Sequence, residues 1–156
     1  MLLRRILPIS MRRIVLNSID ENIGSGHVPG ESVKALRTLC RTARLLQDDD
    51  RPTVDVISDV LAVLPSGWRF PEILRARVHF RDMEARSPGF RPTEWMQSAR
   101  FSTMDGSVGG IDVSYLEERP GAFEGPFLAE ERNLIDSLAD ILRLHFQHVA
   151  SREALA

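Results

Sequence analysis

The sequence predicts an α+β fold: an antiparallel sheet flanked in the chain by helices. Three observations carry that prediction. Residues 73–81 alternate cleanly, with Leu74, Ala76, Val78 and Phe80 on one side and Arg75, Arg77, His79 and Arg81 on the other. Asp105-Gly106 sits between two further alternating runs, a strong hairpin signal. Helical periodicity appears only before and after these strands, without the strand–helix–strand alternation of a parallel sheet.

The first thirty residues stand apart. Residues 11–23 fit a short helix striped by Met11, Val15, Ile19 and Ile23, or a strand over 13–16, before Gly24-Ser25-Gly26-His27-Val28-Pro29-Gly30 breaks regular structure. We therefore divide the chain into an arm and linker, 1–30, and a single domain, 31–156. A helix is predicted over 32–47, with Val33, Leu36, Cys40, Ala43 and Leu46 as its apolar face. A second helix follows Pro52, with Val54, Ile57, Leu61 and Leu64 buried, and Pro65-Ser66-Gly67 stops it.

The strands come next. After 73–81, a short one is predicted near 83–86, and Ser87-Pro88-Gly89 turns the chain. The third, 95–103, places Trp95, Ala99 and Phe101 on one face. The returning strand, 108–117, sets Ile111, Val113 and Tyr115 against Asp112 and Ser114. Gly106 is expected at positive φ in a two-residue turn. A final helix is predicted over 129–151, with Glu130 and Glu131 complementing its dipole. Phe123 and Phe127 are expected to anchor the loop before it, with Gly125-Pro126 forming its turn.

Composition narrows the function classes. A chain of 156 residues holds one domain with a core. A formal net charge of −2 supplies no global field to recruit nucleic acid. One cysteine, Cys40, excludes an intrachain disulfide framework, and it reads as a small core residue. No apolar run reaches the length of a membrane span, and the basic, proline-broken start is a poor signal peptide, so a cytoplasmic location is expected.

The chain carries no nucleophile elbow and no phosphate-cradling loop. Gly106-Ser107-Val108-Gly109-Gly110 is glycine-rich but enters a strand, not a helix. His145 and His148, three apart on a helix, have the spacing of a metal-binding pair, but no acid or thiol partner lies near them in sequence. Glu117, Glu118, Glu124, Glu130 and Glu131 read as a solvated acidic loop and helix start. No metal, cofactor or catalytic residue is assigned.

The polar sheet face is the candidate site. Arg75, Arg77, His79, Ser98, Arg100, Asp112 and Ser114 are expected to project together from it. Guanidinium groups pair with carboxylate or phosphate in a two-point fork, so a small anion is the expected ligand. The other reading of the same residues is a solvated face, partly covered by loops around Phe90 and Phe123. On the last helix, Ile135, Leu138, Leu142, His145 and Val149 fall at seam spacing. They form either a dimer contact or part of a broad stripe buried in the monomer.

Taken in order, Gly67-Trp68-Arg69-Phe70-Pro71-Glu72-Ile73, Met104-Asp105-Gly106-Ser107 and LEERPGAFEGPFLAEERNLI, residues 116–135, resemble the GAF-like input domains of bacterial and archaeal signalling proteins, many of them joined to histidine kinases. The resemblance covers residues 53–148. It implies N- and C-terminal helices on one sheet face, a ligand on the other, a homodimer, and a non-enzymatic sensory or regulatory role. It also implies a signalling partner such as a histidine kinase. The chain departs from the family's ligand-roofing inserts, with fourteen residues between Phe80 and Trp95 and four between Thr103 and Val108. A shallow site is therefore expected, or a pure interaction module with a degenerate one.

Overall fold

The computed structural model describes residues 29–155 except residue 49. The two alternatives for residues 11–23, and nearly all of the arm, lie outside the described residues. The described residues form three α-helices, α1 (Pro29–Leu45), α2 (Thr53–Val63) and α3 (Ala129–Leu155), with a short 3-10 turn at Leu64–Gly67 after α2. Between α2 and α3 run four strands, β1 (Leu74–Phe80), β2 (Met83–Arg86), β3 (Met96–Ser102) and β4 (Val108–Tyr115). All pairings are antiparallel and the sheet order is β2-β1-β4-β3. The fold is α+β, as the sequence predicts.

Alternation dictates which face is buried. Leu74, Ala76, Val78 and Phe80 of β1 lie opposite Tyr115, Val113, Ile111 and Gly109 of β4. With Ala99 and Phe101 of β3 they share one core with Leu39 and Ala43 of α1, Ile57 and Val60 of α2, and Ile135, Leu138 and Leu142 of α3. Helix α3 is pinned where Phe146 stacks on Phe80, centroids 4.2 Å apart and planes within 7°. Trp68 is fully buried and donates its Nε1 proton to Gln97 at 3.1 Å.

The helix stripes differ from the periodicity reading. In α1 the buried stripe is Ala35, Thr38, Leu39, Thr42 and Ala43, continued by Leu46 just past its end. Val33 is exposed, and Leu36 and Cys40 are only half-buried, so Cys40 flanks the core rather than joining it. Two threonines take core places because their hydroxyls are satisfied locally. Thr42 donates to the Thr38 carbonyl at 2.9 Å, and Thr38 shares a 3.3 Å bond with Ser66. In α2 the stripe is Val56, Ile57, Val60 and Val63, leaving Val54 exposed. Pro29 and Gly30, read as linker, belong to the first turn of α1.

The β3–β4 connection is a three-residue loop, not a two-residue turn. Gly106 N–H donates to Thr103 at 3.0 Å and Thr103 N–H donates to Ser107 at 2.9 Å. Gly106 then adopts φ +86°, which glycine accepts without cost. Before α3, Glu124 and Phe127 exchange two 2.9 Å backbone bonds around Gly125-Pro126. Phe127 is buried as expected, but Phe123 is exposed and anchors nothing.

The acidic loop is only partly solvated. Glu130 and Glu131 are buried. The Glu131 carboxylate accepts from Leu128 N–H at 2.7 Å, closing the first turn of α3, and from Arg69 N–H at 2.8 Å. Burial pushes its carboxyl upward against those bonds.

Candidate functional site

Register assembles the polar face into rows. One row runs Arg86–Arg77–Asp112–Ser98 across β2, β1, β4 and β3, and the next runs Glu84–His79–Gly110–Arg100. Five of the seven candidate residues lie in these two rows, and the other two, Arg75 and Ser114, pair with each other in the row beside them. The structure brings Arg77, His79, Ser98, Arg100 and Asp112 together.

Asp112 is the centre of the group and is fully buried. Its Oδ2 accepts from Arg77 Nε at 2.9 Å and Nη2 at 2.7 Å. Its Oδ1 accepts from Ser98 Oγ at 2.5 Å and Arg100 Nη2 at 2.8 Å. Burial alone raises this carboxyl, but the Ser98 hydroxyl and the two guanidiniums outweigh it and hold it below its ordinary value. Gly110 sits between His79 and Arg100 in the neighbouring row. A Cβ there would stand 2.8 Å from Arg100 Cδ, so its absence lets the Arg100 side chain lie across the sheet toward β1.

Arg75 and Ser114 do not join the group. Arg75 turns back to the carbonyls of Leu74, at 2.9 Å, and Glu72, at 3.3 Å. Ser114 is buried and donates to the Arg91 carbonyl at 3.0 Å, fastening the loop that covers this end of the face. Phe90, on the same loop, is nearly buried beneath the guanidiniums of Arg77 and Arg86, 5.4 and 5.8 Å from its centroid.

What stays open is a cleft of about 390 Å³ lined by Arg77, His79, Arg81, Asp82, Met83, Glu84 and Arg100. Arg81, Asp82, Met83 and Glu84 were not singled out from sequence. Strand parity in residues 83–86 was the signal for Glu84, but the β1–β2 turn at Arg81-Asp82 needs the register to be seen. His79 is held below its ordinary pKa first by burial, then by Arg100 and Arg77, with Asp112 and Glu84 opposing. The cleft therefore offers three guanidiniums, a neutral imidazole and two exposed acids.

The proposed seam on α3 lies elsewhere and is not a surface. Ile135, Leu138 and Leu142 are fully buried in the chain's own core and His145 is 3% exposed, edge-on to Phe146 at 5.0 Å. Only Val149 of that series is partly exposed. The broad monomer stripe is what the structure shows, because β3, β4 and α1 close over that side of α3. Among the described residues no group of His, Cys, Asp and Glu is arranged to hold a metal ion, and no helix is long and apolar enough to cross a membrane.

Comparison with family models, curated proteins and solved structures finds no match.

Proposed function

We propose that this chain is a non-enzymatic, GAF-like sensory module of cytoplasmic bacterial signal transduction, which takes a small anion into the cleft over Arg77, His79 and Arg100. The observation that carries the reading is the cleft itself: an opening on the sheet face opposite the core, walled by the guanidiniums of Arg77, Arg81 and Arg100. A guanidinium has five N–H donors, and Arg77 spends two of them on Asp112. The remainder suit a planar carboxylate or a tetrahedral oxyanion. Output to a partner such as a histidine kinase belongs to the same proposal and rests on the family resemblance.

A second reading has one specific observation behind it. Asp112 already neutralises guanidinium charge, as it would in a degenerate site retained by an interaction module.

Thermal unfolding with added sulfate, phosphate or small carboxylates separates the two. A ligand that binds only the native state raises the apparent melting temperature by mass action. An anion site requires a concentration-dependent rise that Arg77→Ala and Arg100→Ala each remove, measured against each variant's own baseline. A set of anions that moves none of the melting curves favours the interaction module and overturns the ligand reading.

A further inference from the structure

Among the described residues, Arg81 is the one non-glycine residue with positive φ, at 58°. The left-handed region is unfavourable for a residue with a Cβ, and turns that need it select glycine or asparagine. Arg81 occupies it in the two-residue β1–β2 turn, next to the Phe80–Met83 pair. An arginine at such a place points to work for its side chain.

That side chain joins three parts of the molecule. Nε donates to Ser107 Oγ at 3.0 Å, and Nη2 reaches Asp105 at 3.1 Å in the β3–β4 loop and Glu153 at 3.2 Å near the end of α3. The same residue lines the cleft with Arg77, His79 and Arg100. Glu153 lies two turns beyond Phe146, the residue that pins α3 to the sheet, and residues 151–155 are all exposed. The end of α3 is thus fastened from outside the core. Further tethers include Arg152 to Asp50 at 2.8 Å and Gln147 to Met104 N–H at 2.6 Å.

The arginines of the cleft are not equally available to a ligand. Pulling Arg77 or Arg100 off Asp112 would leave a fully buried carboxylate short of its partners. Asp105 and Glu153 are 44% and 55% exposed, so water replaces Arg81 at either of them with little loss. An anion competing for guanidinium would recruit Arg81 first.

Resting on the reading of the cleft as an anion site, we propose that Arg81 is a ligand-operated latch: an anion in the cleft draws its guanidinium off Glu153 and frees the last turn of α3. The terminal helix is then the element whose state reports occupancy.

Amide hydrogen exchange of residues 150–155, read by NMR with and without sulfate, tests this. In the wild type, sulfate accelerates exchange there by about two- to fivefold, the span expected for losing one exposed ion pair. Glu153→Gln exchanges at the faster rate without sulfate, and sulfate adds nothing. Arg81→Asn, which tolerates the left-handed turn, behaves likewise and also binds sulfate more weakly. Sulfate binding that raises the melting temperature but leaves 150–155 unchanged defeats the latch and spares the cleft. Exchange in Glu153→Gln as slow as in the wild type also defeats it. Sulfate that does not bind at all removes the cleft reading, and the latch with it.

Discussion

Arg77 directs both Nε and Nη2 at a single carboxylate oxygen of Asp112, at 2.9 and 2.7 Å, from the position directly opposite it in the β1–β4 ladder. The pair crosses the two central strands, and Arg100 reaches the other oxygen from β3. Three strands are therefore tied through one fully buried side chain.

Asp112→Asn keeps the shape and deletes the charge. Two guanidiniums are then left close together without their counter-ion. Breaking a buried pair on one side costs about 3–5 kcal/mol. Arg77 and Arg100 are 28% and 49% exposed and can rehydrate, so the low end, about 3 kcal/mol, is expected. Urea unfolding measures it. A loss below about 1 kcal/mol would mean that the arginines simply turn to water.

His79 gives the cleft a pH signature. Burial, then Arg100 and Arg77, hold its folded pKa below the ordinary 6.5. The unfolded chain binds a proton on this residue first as pH falls, so the unfolded state carries more protons in that window. Stability contributed by neutral His79 is complete above 6.5 and is lost as pH falls through 6.5 toward the folded value. His79→Gln should flatten the stability profile between pH 7 and pH 5 relative to wild type. Parallel profiles for the two proteins would show that His79 titrates alike in both states.

Gln97 is buried between Trp68, which donates to it at 3.1 Å, and Glu124, to which it donates at 2.8 Å. Arg132 completes the series with a 2.6 Å bond to Glu124. Gln97→Leu strands the indole N–H in the core, which costs about 1–3 kcal/mol. It also loosens the loop before α3. A lowered urea midpoint with faster exchange at Glu124–Phe127 is the expected pair of results; an unchanged midpoint would sink it.

Gly106 and Gly109 fail for different reasons when substituted. Gly106→Ala meets open space but is forced into φ +86°, a conformational cost of about 1–2 kcal/mol. At Gly109 a Cβ would collide with the Phe101 ring and stand 2.8 Å from the His79 carbonyl, so Gly109→Ala is an overpacking mutation of about 1–3 kcal/mol. Gly106→Asn should recover part of the first loss because asparagine tolerates the left-handed region. Gly109→Asn should only worsen the second. Equal behaviour at the two sites would contradict both assignments.

The strands were legible because apolar and polar side chains largely alternate along them. A period of two then states both the element and its orientation, and it placed Arg77, His79, Arg100 and Asp112 on one side before any register was known. The helix stripes were less legible. Thr38 and Thr42 are core residues with polar side chains, while Val33 and Val54 are apolar and exposed, which shifts the apparent phase of both helices. Gln97 and Glu131 were hidden for a related reason: the partners that permit their burial lie far away in sequence, at Trp68 and Glu124 for one and at Arg69 for the other. On α3, seam spacing and a broad core stripe have the same period, so only the packing of β3 and α1 against it separates them.

The balance of charge around the cleft has a consequence for how a ligand would be found. Arg77, Arg81 and Arg100 are matched by Asp82 and Glu84 at the rim and by Asp112 beneath. Seen from beyond a Debye length, about 8 Å at physiological ionic strength, the opening is close to neutral. Long-range steering is weak for such a surface, so encounter rates should hardly respond to added salt. Discrimination then falls to the last few ångströms, where donor geometry rather than total charge separates a flat carboxylate from a tetrahedral oxyanion.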